Sequence, residues 1–292
     1  MNRIHFLGLG LLLAWSVPLA AQEGGQASFR EKTLHAVAPG EWSGARLADG
    51  QPDVQGHWSN TIGNHNDFTG TANSPSRVTD PPDGQVPFQE WARAKAEDFA
   101  AHLENPIRPE YVEPFARCAP GGPTKSLMWH GFEIRQYPGY VLFLFDSGTR
   151  LIPLGDAAPL PETVKTWNGD SRGHWEGNTL HVSVHNHNAK ARLGRSGEFV
   201  SADAAIEESY SFEEGGEYFL YRATYTDPSV LTRPMTVSVP VKRITFETAP
   251  DGWNNITFPV SFADASHAPD IEVWERTCVE NNADHGQVAV PD

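Results

Sequence analysis

The segment 179–187 carries histidines at three of its odd-numbered positions, His181, His185 and His187. Alternate side chains of a β-strand lie on one face, so a strand over 179–187 would carry all three histidines opposite a set of apolar residues. With an unperturbed pKa of about 6.5, imidazoles suit general acid–base catalysis. His181 and His185 are therefore candidate catalytic residues if this face lines a barrel lumen. If the face is turned to solvent, the same alternation describes an ordinary solvated sheet, and the sequence leaves both alternatives open.

The spacing of His185 and His187 also allows two imidazoles to approach one divalent ion. A third ligand would have to come from elsewhere, and Asp170, His174 and Glu176 are the nearest candidates in the sequence. None of them has a spacing that demands a metal, and His-Glu-x-x-His and Cys-x-x-Cys motifs are absent. We therefore rank a metal site at His185 and His187 below acid–base chemistry and expect no cofactor.

A short charged segment, Asp170-Ser171-Arg172, lies between two glycines just before this strand. In a functional interpretation the segment forms the mouth of a pocket, where Arg172 stabilises a developing oxyanion and Asp170 orients a histidine or moves a proton. In a structural interpretation it is a turn in which Asp170 and Arg172 pair with each other, which is the commoner arrangement.

Four further residues are candidates for substrate binding: Trp129, His130, Tyr140 and Trp175. Aromatic rings beside polar groups suit sugar rings and flat aromatic molecules. The same composition also suits the end of a barrel, which Trp175 would close by packing.

The elements that must position these residues are mostly β-strands. Alternation with a period of two begins after Pro123, and Pro138-Gly139 and 213–216 are hairpin signals between neighbouring runs. We predict a mainly β fold, either a single antiparallel β-barrel of the lipocalin-like kind or a sandwich, over 124–280, followed by a flexible tail at 281–292. The strand-like runs are 132–136, 140–145, 150–154, 179–187, 206–212, 218–225, 235–248, 256–262 and 271–276.

The region before this domain, 22–123, is rich in Gly, Pro, Asn, Asp and Ser and predicts a loop-rich arm. One amphipathic helix at about 87–104 interrupts the arm, because an apolar stripe that includes Trp91 and Phe99 recurs at helical spacing. We expect the stripe to pack on the main domain, with the stem of Lys95 along it and its ammonium group in water.

The composition limits the partners of the chain. It has 292 residues, of which 39% are hydrophobic, enough for a globular core. Its 22 Lys and Arg against 37 Asp and Glu give a net charge of −15. Such a chain should be repelled by nucleic acid and by anionic lipid, so we expect a small-molecule substrate or ligand instead. The oligomeric state is not specified.

The beginning of the chain predicts export. Residues 1–21 combine Arg3, an apolar run and Ala20-Ala21, the pattern of a cleaved secretory signal, so we expect a periplasmic or secreted protein without membrane insertion. Cys118 and Cys278 are the two cysteines of the chain. In an oxidising compartment they should form one disulfide.

One segment resembles a motif of a large, functionally unassigned family of exported bacterial proteins. Gly169 to Leu180 reads Gly-Asp-Ser-Arg-Gly-His-Trp-Glu-Gly-Asn-Thr-Leu, which is similar to the family pattern Gly-Asp-Ser-Arg-Gly-x-Trp-Glu-Gly-x-Thr-Leu. The resemblance implies export and a β-rich fold but no reaction, and the histidines of 181–187 are not part of the family pattern. It also covers Asp49 to Trp58, Pro138 to Tyr140, Arg150 to Leu154, and Asp227-Pro228 with Thr232-Arg233-Pro234.

Several catalytic signatures are absent, namely a Gly-x-Ser-x-Gly elbow, a phosphate-binding Gly-rich loop and a dinucleotide fingerprint. The leading hypothesis is an exported enzyme that performs cofactor-free acid–base chemistry, as a lyase, isomerase or hydrolase, on a small organic substrate held in the barrel. One alternative is a non-catalytic barrel that binds or carries an apolar or aromatic small molecule. Another is a metal-dependent hydrolase or lyase that uses the histidine face.

Overall fold

The structure is a computed structural model, and none of the helices it describes is long and apolar enough to cross a membrane. The predicted signal sequence, both cysteines, Trp129, His130 and the predicted strands beyond residue 244 lie outside the described residues. The described residues are 34–61, 68–70, 75–103, 105–114, 119–128, 131–145, 148–156, 158–194 and 197–244.

The described residues form ten strands, two α-helices and one short 3₁₀ helix. The helices are α1 (Glu90–Ala101), the 3₁₀ helix (Pro109–Tyr111) and α2 (Pro123–Met128). The strands are β1 (Gly56–Asn60), β2 (Val78–Asp80), β3 (Phe132–Tyr137), β4 (Tyr140–Phe145), β5 (Gly148–Pro153), β6 (Asp170–Glu176), β7 (Thr179–His185), β8 (Ala205–Phe212), β9 (Tyr218–Thr226) and β10 (Met235–Arg243).

Nine of these strands form a nearly closed antiparallel β-barrel. Their order around the barrel is β5-β4-β3-β1-β10-β9-β8-β7-β6, and β2 pairs with β10 outside this path. The two end strands, β5 and β6, meet in parallel at a bridge between Leu154 and Gly173. The predicted mainly β fold class is therefore confirmed, as a barrel rather than a sandwich.

Alternation along the strands fills the barrel with side chains. Val141, Phe143 and Phe145 of β4 are buried, whereas the residues between them are only half-buried. Across the interior, the fully buried ring of Trp58 contacts that of Phe219 at 5.0 Å between centroids. A small barrel filled in this way is a packed core.

Three segments that the sequence predicted as loop or turn are strands, namely β1, β2 and the start of β6. β1 belongs to the region predicted as a loop-rich arm, yet it lies in the barrel between β3 and β10. The segment 170–172, predicted as a turn, begins β6 and pairs with β7, with Asp170 opposite His185. Pairing with β3 and β10 in the case of β1, and the hairpin with β7 in the case of β6, outweigh a local composition of glycine and charged residues, which by itself favours turns.

Helix α1 lies within the helix predicted at about 87–104. Ala92 and Ala96 of its stripe are buried against the domain, whereas Trp91 is 53% exposed and Phe99 is half-buried. Lys95 lies along this edge, with its Nζ 5.6 Å from the centre of the Phe99 ring. The small residues of the stripe therefore pack as expected, while its aromatic rings remain partly open at the edge.

Candidate functional site

The histidine face of β7 is turned to solvent. Leu180, Val182 and Val184 are buried in the barrel, whereas His181 is half-exposed and His185 is exposed. This is the alternation of a solvated sheet, the second of the two alternatives that the sequence allowed. The placement does not support the predicted roles of His181 and His185 as acid and base toward a substrate in the lumen.

The two histidines predicted as metal ligands do not share a face. Strand β7 ends at His185, and Asn186 takes a positive φ of 54°, so the chain turns away before the next residue. His185 is exposed, but His187 is only 4% exposed. In the described part of the chain, no group of three or more His, Cys, Asp and Glu side chains is placed to hold a metal ion.

His187 is instead a buried residue at one end of the barrel. Its Nε2 donates a hydrogen bond to the carbonyl of Ala204 at 3.0 Å. Burial lowers the pKa of His187, which favours the neutral imidazole. With Thr124, Lys125 and Tyr225 it lines a cavity of about 20 Å³, a volume that holds about one water molecule.

Asp170 and Arg172 adopt the paired arrangement of the structural interpretation. Arg172 Nη1 lies 2.8 Å from Asp170 Oδ1. Asp170 also accepts a hydrogen bond from the backbone N–H of Leu160 at 2.7 Å, and Arg172 donates to the carbonyl of Ala158 at 2.7 Å. The pair therefore holds the loop between β5 and β6 against the outside of the barrel.

Two of the predicted substrate-binding residues, Tyr140 and Trp175, lie on different strands and take part in separate packing contacts. Trp175 packs against Phe212 with 5.9 Å between ring centres, at the edge of the core. Tyr140 stacks on Tyr137 at 5.1 Å across the β3–β4 hairpin. The two rings therefore do not form one site, and the buried Nε1 of Trp175 has no hydrogen-bond partner among the described residues.

The barrel interior contains a polar network that the sequence analysis missed. Arg150 of β5 and Glu208 of β8 form a bidentate ion pair, with 3.0 Å between Nη1 and Oε1 and a second contact between Nη2 and Oε2. Arg150 also donates to the hydroxyls of Tyr210 and Ser171, each at 2.9 Å. All four residues are at most 3% exposed. The hydrogen bond to Ser171 joins β5 to β6, the two end strands of the sheet, where the barrel closes.

The network continues to the end of the barrel that holds the small cavity. Tyr221 donates to Glu208 Oε1 at 2.6 Å, its hydroxyl lies 2.8 Å from that of Thr124, and Thr124 in turn bonds to Tyr225. Burial and the charge of Glu208 raise the pKa of Tyr221. Burial alone would lower the pKa of Arg150, but the attraction of Glu208 outweighs it and raises that pKa. The tyrosine therefore stays a donor and the arginine stays charged.

The sequence does contain a signal for this network. Arg150 is two residues before the buried Ile152, and Glu208 lies between the buried Ile206 and Tyr210, so each charge occupies the inward face of its strand. A charge at such a position needs a partner in the interior. The partner cannot be read locally, because the two residues are 58 positions apart.

A cleft of about 300 Å³ lies outside the barrel, between α1 and the chain that links β7 to β8. Three aromatic rings face it, those of Trp91, Phe99 and Phe199. The ring of Phe199 is held between Phe88 and Trp91, with centroids 5.8 and 5.9 Å away. The cleft volume is at the lower end of the range of small-molecule sites. The lining residues are Trp91, Lys95, Phe99, Glu110, Pro114, Ala189, Lys190, Ala191, Arg192, Phe199, Val200, Ser201 and Val230.

Cations outnumber carboxylates in the same cleft. Lys95, Lys190 and Arg192 line it, together with one carboxylate, that of Glu110. Glu110 is engaged by Arg108, whose Nε lies 3.2 Å from its Oε1. The cleft is therefore locally positive on a protein whose net charge is −15.

Arg192 is the buried member of these cations, at 5% exposure. Its Nη2 donates to the backbone carbonyl of Glu110 at 2.6 Å, and its guanidinium carbon lies 4.3 Å from the centre of the Phe99 ring. Its Nη1 is buried and has no hydrogen-bond partner within the described part of the chain. Burial lowers the pKa of Arg192, and Glu113 only partly offsets that effect. A guanidinium stays charged nonetheless, so Arg192 brings a positive charge to the wall of the cleft while one of its nitrogens is buried there without a partner among the described residues.

Comparisons with known proteins return no match: no family model, no curated protein and no solved structure matches the chain. The resemblance of 169–180 to the exported bacterial family therefore stays a prediction. The geometry of the cleft is therefore the basis for a functional proposal.

Proposed function

We propose that this protein binds a small, flat apolar or aromatic molecule in the cleft beside its barrel. The proposal follows the non-catalytic alternative of the sequence analysis, with the binding site on the outside of the barrel instead of in its lumen. The observation that carries it is the cleft of about 300 Å³ with the rings of Trp91, Phe99 and Phe199 in its wall. Aromatic walls offer a flat ligand a large contact area and favourable ring geometry.

The exposure of Trp91 supports a binding role for this wall. Its indole is 53% exposed, yet Nε1 donates to the carbonyl of Ser229 at 3.0 Å, which fixes the ring in place. Exposed apolar surface that continues into a concave aromatic wall is typical of ligand-binding grooves. A ring that is already ordered costs less conformational entropy when a ligand binds.

Binding is favoured over acid–base catalysis by the ionisable groups that face the cleft. These are Lys95, Lys190, Arg192 and Glu110, and imidazole, the side chain best suited to proton transfer near neutral pH, is not among them. His187 lines an adjoining cavity of about 20 Å³, which shares Ala189, Ala191 and Val200 with the cleft. That volume is on the order of a single water molecule and too small for an organic substrate.

The proposal is tested by titrating the wild-type protein with two naphthalene-sized probes, 2-naphthoate and its neutral amide, 2-naphthamide, in a calorimeter. We expect saturable binding of at least one of them. Trp91→Ala should weaken it roughly tenfold, because one aromatic wall and its ring contact are lost. The matched control is Tyr137→Ala, which removes another exposed aromatic ring, one that does not line the cleft.

Two results would contradict the proposal. One is that the folded wild-type protein binds neither probe. The other is that Tyr137→Ala weakens binding as much as Trp91→Ala, which would locate the site elsewhere.

A further inference from the structure

We propose that the ligand of this cleft is an aromatic monocarboxylate and that Arg192 binds its carboxylate group. The inference rests on the proposed small-molecule function and adds the chemical class of the ligand. It is carried by a buried guanidinium that lines the cleft and has a nitrogen without a protein partner.

Two carboxylates in the surroundings of Arg192, those of Glu113 and Glu110, are engaged by other cations. Glu113 lies 2.6 Å from Lys125 Nζ. Glu110 directs its carboxylate to Arg108 and offers Arg192 only its backbone carbonyl. Within the described residues, the charge of Arg192 is therefore not matched by an ion pair of its own.

A buried charge in this condition is destabilising. Removing one partner of a buried ion pair is strongly unfavourable, because the remaining charge has lost both water and its counterion. A ligand carboxylate would supply the counterion, and it would accept a charge-assisted hydrogen bond from Nη1 of Arg192. Arg150, equally buried, shows the completed form of this interaction with the carboxylate of Glu208.

The rings beside the guanidinium determine what the carboxylate should be attached to. The guanidinium lies over Phe99 at 4.3 Å, and Lys95 Nζ lies 4.6 Å from the centre of the Phe199 ring. Cation and aromatic wall are thus adjacent, which matches a molecule whose ring carries its acid group directly. Lys95 and Lys190 at the rim would attract an anion toward this opening in an otherwise acidic protein.

The decisive measurement needs only the wild-type protein. 2-Naphthoate and 2-naphthamide have nearly the same shape and differ in charge, so the ratio of their dissociation constants measures the preference for an anion. We expect naphthoate to bind at least tenfold more tightly. In Arg192→Met the preference for naphthoate should disappear, while the affinity for naphthamide stays within about twofold. Arg192→Lys should retain part of the preference, because an ammonium group keeps the positive charge but lacks the paired N–H donors of a guanidinium.

The matched control is Arg93→Met, which removes an exposed cation from α1 that does not line the cleft. It should keep the full preference for naphthoate. If circular dichroism shows that Arg192→Met does not fold, two measurements still test the inference: the ratio of the wild-type dissociation constants for the two probes, and the same ratio in Arg192→Lys.

The possible outcomes separate the two proposals. Equal affinities of the wild type for naphthoate and naphthamide would overturn the carboxylate inference and leave small-molecule binding intact. Failure to bind either compound would overturn both. A preference for naphthoate that survives in folded Arg192→Met, or that is lost equally in Arg93→Met, would overturn the role of Arg192.

Discussion

Two arginines of this protein are almost equally buried but have very different surroundings. Arg150, inside the barrel, donates to the carboxylate of Glu208 and to two hydroxyl groups. Arg192, beside the barrel, donates to one backbone carbonyl, lies against an aromatic ring and keeps one nitrogen without a partner among the described residues. A fully hydrogen-bonded charge rigidifies a core, whereas a buried charge with a spare donor can still gain a partner. The difference favours a stabilising role for the interior network and supports the proposed binding role of the cleft.

The largest effect should come from breaking the interior ion pair. Glu208→Gln leaves the charge of Arg150 buried without its counterion, and we expect the free energy of unfolding to fall by about 3–5 kcal/mol. Urea denaturation measures this loss. If the single variant does not fold, the double variant Arg150→Met, Glu208→Leu should restore most of the stability, because it removes both charges together.

The control is an exposed ion pair of similar geometry. Arg233 Nη2 lies 2.8 Å from Asp80 Oδ1, with the side chains 49% and 50% exposed. Arg233→Gln should cost no more than about 1 kcal/mol, because water already screens the pair. Equal losses in Glu208→Gln and Arg233→Gln would remove the basis for treating the interior network as the stabilising region.

A smaller loss is expected when only one donor of the network is removed. Tyr221→Phe deletes the hydroxyl that donates to the Glu208 carboxylate at 2.6 Å, which should cost about 1.5–3 kcal/mol since the acceptor is charged. Tyr218→Phe is the matched control, because its hydroxyl donates to the neutral carbonyl of His35 at 3.1 Å. For Tyr218→Phe we expect a loss of about 1 kcal/mol in the free energy of unfolding. A larger loss in Tyr218→Phe than in Tyr221→Phe, measured by urea denaturation, would contradict the stabilising role of the network.

The cleft should respond to a change that leaves the barrel untouched. Gly197 has a φ of +98°, and an added Cβ would lie 2.6 Å from the Cβ of Phe99 and 3.0 Å from the carbonyl oxygen of Ala96. Gly197→Ala should therefore displace α1, cost roughly 1–3 kcal/mol and weaken probe binding.

Gly139→Ala separates backbone strain from this contact, since Gly139 also has a positive φ, +84°, but no atom within 4 Å of an added Cβ. It should be destabilised by about 1–2 kcal/mol through strain alone and bind the probes normally. Calorimetric titration of both variants makes the comparison, and unchanged affinity in Gly197→Ala would show that the position of α1 does not shape the site.

The smallest effect concerns pH. Burial lowers the pKa of His187, and Lys165 adds to this, while the Ala204 carbonyl and Asp227 oppose it. The unfolded chain then binds the proton more readily, so this contribution to stability is complete above about pH 6.5 and is lost as the pH falls through the lowered folded pKa. His187→Gln should flatten that part of the stability profile measured by urea denaturation at successive pH values. His185→Gln, at an exposed position, should leave it unchanged, and the same flattening there would exclude His187 as the cause.

Local sequence determined helix α1 and most of the described strands, although it did not predict β1, β2 or β6. The runs predicted at 140–145, 206–212 and 218–225 correspond within one residue to β4, β8 and β9. Helix α1 lies inside the predicted 87–104. Both patterns are short in range, because the period of two belongs to the strand itself and the helical stripe to the helix itself. The mainly β class followed from the same patterns.

Tertiary structure alone decided which face of each strand is inside and which residues meet. The alternation of 179–187 is the same whether its histidines line a lumen or face solvent, and only the barrel shows that His181 and His185 face solvent whereas His187 is buried. Arg150 and Glu208 meet across 58 residues, and Arg192 lies beside Phe99 because α1 packs on the chain between β7 and β8. Contacts of this kind depend on the order of strands around the barrel, which short-range periodicity does not encode.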